Sequence, residues 1–206
     1  MKTIFLLFFS LMCSQLNAQE QPKRNEFRGE FTLGLRSTSS FFDNTYTGLP
    51  GLGTGGGFKI RLGNRINTDW FADYIVGATT YVKRTDSHIG WSVLYYPFNY
   101  QNKGLKPFVS AGHCFDYTRN SDLTDFSNFA NRWSSAIQGG VGFHYYFTEK
   151  LDVVLQAQYM MHIGTHLETE IVNSQVVFSE EKGTLEEGHL LVTVGINFTL
   201  GKLWGK

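Results

Sequence analysis

From residue 29 to residue 201 apolar and polar positions alternate with a period of two, segment after segment. Phe31, Leu33 and Leu35 oppose Glu30, Thr32, Gly34 and Arg36, and Phe58, Ile60 and Leu62 oppose Lys59, Arg61 and Gly63. Trp70, Ala72, Tyr74, Val76 and Ala78 then oppose Asp69, Phe71, Asp73, Ile75 and Gly77. Ile89, Trp91, Val93 and Tyr95 oppose His88, Gly90, Ser92 and Leu94. Val109, Ala111, Phe115 and Tyr117 oppose Ser110, Gly112, Cys114 and Asp116, with His113 an awkward member of the apolar set. Three more segments follow, centred on Val141, Leu155 and Val194, the last running cleanly from Leu190 to Leu200. Side chains of a strand point alternately to its two faces, so each segment predicts a strand with one apolar and one polar face.

The links between these eight predicted strands alternate in character. Gly63-Asn64-Arg65, Pro97 to Gly104 and Thr148-Glu149-Lys150 are short or turn-rich. Residues 41–56, 118–133 and 167–188 are long, polar or Gly-rich, and Lys83 to Ser87 is a short member of that second set. Short turns at one end and longer loops at the other predict one closed, all-β, antiparallel up-and-down barrel of eight strands, with both termini on the turn side.

Met1-Lys2, the apolar run Ile4 to Met12 and the Leu16-Asn17-Ala18 site have the three parts of a secretory signal peptide, with cleavage expected after Ala18. The run is too short to span a bilayer as a helix. Met12 before Cys13 does not fit a lipoprotein signal, which needs a small residue there. The expected organisation is signal peptide 1–18, mobile leader 19–28, barrel 29–201 and tail 202–206. Cys114 is then the lone cysteine of the exported chain, so no internal disulfide forms. No run of eighteen apolar residues follows Ala18, so a membrane would have to be crossed by strands.

Alternation reads alike in a soluble calyx, apolar inside, and in a membrane barrel, apolar outside. Composition favours the second. The polar faces are rich in Gly, Ser, Thr and Gln and modest in charge, whereas a water-facing wall carries more Lys and Glu. Aromatic residues gather at the ends of the apolar faces (Trp70, Tyr95, Tyr117, Tyr145 with Phe147, Phe198), as in interfacial girdles. The expected location is the outer membrane, with its lipid as the surrounding partner. Eighteen basic residues against eighteen acidic ones argue against a nucleic-acid partner.

Several stretches also resemble the small outer-membrane β-barrel proteins of the OmpA/OmpX type. They include Gly57 to Gly63 leading into Trp70 to Tyr74, Lys106 to Gly112, and Gly140 to Phe147. Thr193 to Leu200 is similar to that family's C-terminal assembly signal, with Gly195, Phe198 and Leu200 in its key positions, although Gly201 to Lys206 follow it here. The resemblance implies engagement by the barrel-assembly machinery during insertion. It implies no activity, because this fold hosts pores, adhesins, enzymes and structural proteins.

Candidate chemistry is sparse. Gly51-Leu52-Gly53-Thr54-Gly55-Gly56 matches a dinucleotide fingerprint by letter but leads into a strand instead of a helix, so it reads as a flexible loop, and no cofactor is expected. Glu30, Arg36, Lys59, Arg61, Asp69 and Asp73 lie on the polar faces of the first three strands and are expected to pair inside the lumen as a plug. His162, Gly164, His166, Glu168 and Glu170 share a strand face if that strand extends, with His189 near its partner, but an ordinary solvated loop is the favoured reading and no metal site is assigned. Lipid A deacylase barrels pair a His with a nearby Ser; two residues after His162 stands Gly164, so no catalysis is expected. Phe126, Phe129 and Trp133 in the 118–133 loop are surface-recognition candidates for an unknown extracellular ligand. The expected function is an integral outer-membrane protein with a structural or surface-binding role. A narrow pore for ions or small solutes is the alternative, followed by a lipid-acting hydrolase and a soluble periplasmic calyx.

Overall fold

The computed structural model describes residues 29–42, 50–98, 104–173, 175–182 and 188–204. The expected signal peptide and leader, the distal part of the first long link and the last two residues lie outside the described residues. Ten strands are present: β1 (Gly29–Phe42), β2 (Gly51–Arg61), β3 (Ile66–Ala78), β4 (Val82–Tyr95), β5 (Gly104–Asp122), β6 (Phe129–Tyr146), β7 (Leu151–Ile163), β8 (Thr165–Val172), β9 (Gln175–Lys182) and β10 (Gly188–Trp204). Eight of them close an antiparallel barrel in the order β1-β10-β7-β6-β5-β4-β3-β2, and β8 with β9 forms a separate two-stranded sheet. Each barrel strand pairs with the next barrel strand along the chain, β7 with β10 past the β8–β9 hairpin, and β10 closes the ring on β1, with Leu33 opposite Phe198 and Leu35 opposite Ile196. Closure leaves the eight barrel strands without a free edge.

The polar faces point inward. Arg84, Asp86, His88, Asp116 and His144 are buried inside the barrel, while Leu35 (76% exposed), Ile89 (63%), Val141 (60%) and Ile196 (59%) stand on its outer wall. A soluble calyx has the reverse facing. On that wall Phe31, Phe58, Trp70 and Trp91 form a ribbon of rings across β1 to β4, with centroids 5.7, 5.9 and 6.4 Å apart. Aromatic rings of this kind, the amphipathic indoles of Trp70 and Trp91 above all, suit the girdle at the headgroup level of a bilayer.

Five segments differ from the sequence expectation, all at the loop end or the C-terminus. Lys83 to Ser87 is no loop but part of β4, and the 118–133 link shrinks to residues 123–128. Gly51 to Gly56 is strand throughout. The 167–188 link contains the β8–β9 hairpin. Lys202 to Trp204, expected as tail, continue β10 against Glu30 and Gly29. A membrane strand needs only about 9–11 residues to cross, and β5 has 19 and β6 has 18. Above the lipid their outer faces carry Arg119 and Asn131 instead of apolar side chains, so the strands continue while the apolar alternation stops.

Candidate functional site

The lumen is filled with side chains in successive sets. Near the turn end Leu94, Tyr96 and Phe108 pack together, with Tyr96 and Phe108 rings 5.8 Å apart and Asn67 Nδ2 donating to Tyr96 Oη at 3.1 Å. Beside them Lys59 Nζ lies 3.6 Å from Asp152 Oδ1 and 3.3 Å from His144 Nδ1. Asn197 Nδ2 donates to the same Asp152 oxygen at 2.7 Å. A small cavity borders this network, lined in part by Arg36, Lys59, Asp69, His144 and Asn197. Gln138 Nε2 donates to Ser92 Oγ at 2.9 Å, and Gln156 Nε2 to Ser110 Oγ at 3.0 Å. Then comes an apolar cluster of Phe71, Ile75, Cys114, Ala136, Met160 and Leu191, with Cys114 Sγ 3.8 Å from Met160 Sδ. A small barrel interior is just wide enough for such filling.

The six lumen candidates divide into three groups. Arg36 donates through Nε to Asp73 Oδ1 at 2.6 Å, pairs through Nη2 with Asp73 Oδ2, and lies 3.6 Å from Asp69 Oδ2 through Nη1. Its guanidinium also sits 4.2 Å above the Phe71 ring. Arg61 Nη1 lies 3.3 Å from Glu30 Oε2. Lys59 departs from the expected arrangement: its carboxylate partner at 3.6 Å is Asp152 of β7, across the lumen. Room for the Arg36–Asp73 pair comes from the Gly-rich segment whose sequence reads as a loop. A Cβ at Gly55 would stand 2.0 Å from Asp73 Oδ1 and 2.3 Å from the Ala72 carbonyl oxygen.

A second charged group, toward the loop end, is absent from the sequence expectation. Arg84 Nε donates to both Asp86 oxygens at 3.1 Å, and His88 Nε2 lies 3.1 Å from Asp116 Oδ1. Thr118 Oγ1 reaches Asp86 Oδ1 at 2.8 Å and Asp116 Oδ2 at 2.9 Å. Arg132 Nη2 is 3.9 Å from Asp116 Oδ2. His162 joins this group, not the glutamates of its predicted strand face: its Nδ1 is 3.3 Å from Asp116 Oδ2, and its Nε2 is 3.4 Å from His189 Nδ1. Gly164, at φ +123°, ends β7 before Glu168 and Glu170 and turns the chain into the hairpin. Ser134 Oγ lies 3.1 Å from His162 Nδ1, the nitrogen that also faces Asp116. A hydrolytic triad divides Ser and Asp between the two ring nitrogens. Here both sit at Nδ1, which does not reproduce that arrangement.

At the rim, Phe126 is 73% exposed in the 123–128 turn. Ser127 donates through its backbone N (2.9 Å) and Oγ (2.6 Å) to Asp125 Oδ1, which holds the Asp125 carboxyl below the usual carboxylate range. Phe129 opens β6 beneath the Arg119 guanidinium, 4.1 Å from its ring centre. Trp133 is not in the loop at all: it stands on the outer wall of β6, its ring 4.8 Å from that of Tyr117. Gly195 faces inward on β10, and Phe198 and Leu200 face outward near its end. The hairpin leans on the barrel mouth, where Asn120 Nδ2 donates to Thr169 Oγ1 at 3.2 Å, Asn128 Nδ2 to the Val176 carbonyl at 2.8 Å and Arg132 Nη1 to the Thr165 carbonyl at 3.0 Å.

An inside-out closed barrel, apolar to its surroundings and polar within, defines a transmembrane β-barrel protein. A family model, the outer membrane protein beta-barrel domain, matches residues 4–198, and the chain belongs to that family of the outer membrane. Among solved structures, the chain is similar to Neisserial surface protein A at 13% identity and a TM-score of 0.61, over 82% of this chain and 97% of that one. A major outer membrane protein from Thermus thermophilus gives 12% identity and 0.57, over 82% and 99%. The N-terminal barrel domain of Pseudomonas aeruginosa OprF gives 16% and 0.53, over 84% and 100%. At these identities the likeness is one of fold. Among curated proteins none is similar enough in sequence to count as a relative.

Proposed function

We propose that the protein is a sealed, non-catalytic barrel, exported by a cleaved signal, with a structural or surface-binding role at its loop end. The observation that carries this reading is the filled lumen. The buried apolar set around Phe71, Cys114, Met160 and Leu191 lies between two networks of paired charges, where a conducting barrel would carry water. The rim supports the surface role: exposed Phe126, Ile171, Val172 and Val177 crown the barrel among short polar residues. Outer-membrane lipid covers the outer wall, and the end of β10 offers its Gly195, Phe198 and Leu200 pattern to the assembly machinery. Purified protein in a planar bilayer should show no steady conductance. Large, reproducible conductance steps would overturn the sealed barrel and promote the narrow pore, for which the cavity beside Lys59 and Asp69 would be the starting path.

A further inference from the structure

We propose that Asp86, His88 and Asp116 form a binding site for one divalent transition-metal ion of the Zn²⁺ type, buried in the loop-end half of the lumen. Asp86 and His88 are successive inward residues of β4, and Asp116 faces His88 directly across the β4–β5 register. One donor atom from each of the three lies within 4.8 Å of the others. All three residues have 0% exposure.

The second observation is what the surroundings leave unsatisfied. His88 Nε2 and Asp116 Oδ1 lie 3.1 Å apart, yet neither atom makes an aligned hydrogen bond, and neither does His88 Nδ1. The two atoms attract each other as an ion pair, but the buried His88 Nδ1 has no hydrogen-bond partner among the described residues. A cation shared by both satisfies them together. The other carboxylate oxygen is already held: Asp116 Oδ2 accepts from Thr118 Oγ1 at 2.9 Å and from Ser134 Oγ at 3.3 Å. Arg84 Nε fixes Asp86 by donating to it at 3.1 Å, and the single Thr118 hydroxyl proton serves either Asp86 Oδ1, at 2.8 Å, or Asp116 Oδ2. Outer partners of this kind orient ligands in metal sites.

The same surroundings choose the ion. Arg84 and Arg132 already face the two carboxylates, so charge attraction alone draws a cation in weakly. Mg²⁺ and Ca²⁺ favour all-oxygen shells, water included, into which the imidazole of His88 does not fit. Zn²⁺, Co²⁺, Ni²⁺ and Cu²⁺ bind imidazole strongly. His189, whose ring stacks on that of His88 at 5.6 Å, places another imidazole beside the site. The ion would sit below the β8–β9 hairpin, because the inward residue Asn120, four positions along β5 from Asp116, carries the contact to Thr169.

The test uses untagged full-length exported protein, folded in detergent and stripped with EDTA. Titration with Co²⁺ should give one equivalent of visible ligand-field absorption, displaced one for one by Zn²⁺, and Zn²⁺ should raise the unfolding temperature. His88→Gln and, separately, Asp86→Asn should weaken binding on the order of 100-fold, in samples whose heat-dependent migration in SDS gels shows a folded barrel. A triple variant of the rival hairpin positions, His166→Gln with Glu168→Gln and Glu170→Gln, should bind as wild type. No stoichiometric uptake by the wild type, or undiminished affinity in folded His88→Gln, would overturn the assignment. Should neither lumen variant fold, Cu²⁺ EPR decides: imidazole coupling that persists in the triple variant supports the lumen site, and its loss there refutes it.

Discussion

Replacing Arg36 by methionine should destabilise the folded barrel by about 3–5 kcal/mol, the cost of stranding a buried partner charge. Arg36 serves two carboxylates: it pairs with Asp73 through two nitrogens and lies 3.6 Å from Asp69. The Asp73 side chain is fully buried, so water does not replace the lost partner. Methionine retains much of the apolar stem above Phe71, which separates the charge effect from lost packing. Reversible urea unfolding of the protein in liposomes measures the change. Adding Asp73→Asn to the same chain should recover a large part of the loss, because the stranded charge goes with it. If Arg36→Met leaves stability within about 0.5 kcal/mol of wild type, as for an ordinary surface change, the lumen is wet and the pairing is incidental.

Gly55→Val and Gly57→Val should each prevent the barrel from closing. Both glycines face the lumen on β2. A Cβ at Gly57 would stand 2.1 Å from the Trp70 carbonyl oxygen, and one at Gly55 2.3 Å from that of Ala72. These are backbone atoms of the neighbouring strand β3 and have no rotamer to move into. Overpacking of flexible cores costs typically about 1–3 kcal/mol; here the cost falls on strand pairing itself and should exceed that range. Gly63→Ala is the control, since nothing lies within 4 Å of its added carbon. The fraction of protein migrating as the compact form in unheated SDS gels should fall to near zero for the two valine variants and stay at the wild-type level for the alanine one. Normal folding of Gly55→Val would mean that β2 and β3 do not approach each other as described.

The same glycines show where sequence reading succeeds and where it stops. Within the lipid band, alternation is enforced by two different solvents on the two faces, and strands β3, β7 and β10 are legible from it. The Gly-rich start of β2 reads as a loop because glycine carries no side chain to alternate. Yet those glycines are strand residues that make room for the Arg36–Asp73 pair. Lys83 to Ser87 reads as a link for a related reason. Above the lipid its outward residues Lys83, Thr85 and Ser87 are as polar as the inward Arg84 and Asp86, so the periodic signal vanishes while the ladder continues. The loop-end charged group is hidden with it. Lys59 shows a third limit. Its inward facing is legible, but its partner Asp152 lies across the barrel, at a distance that only closure fixes.

The central claim is the facing of the wall, and nitroxide labels stepped along β10 test it directly. Single cysteines at positions 192 to 198, in a Cys114→Ala background and reconstituted in liposomes, would be labelled one at a time. Val194, Ile196 and Phe198 are exposed on the outer wall, and Thr193, Gly195 and Asn197 are buried inside. Labels at the even positions should be relaxed by oxygen dissolved in the lipid and shielded from a water-soluble nickel chelate. Labels at the odd positions should be shielded from both, because the lumen is packed. Access of the nickel chelate to the even positions, with oxygen favouring the odd ones, would contradict the inside-out barrel and make the chain a soluble calyx.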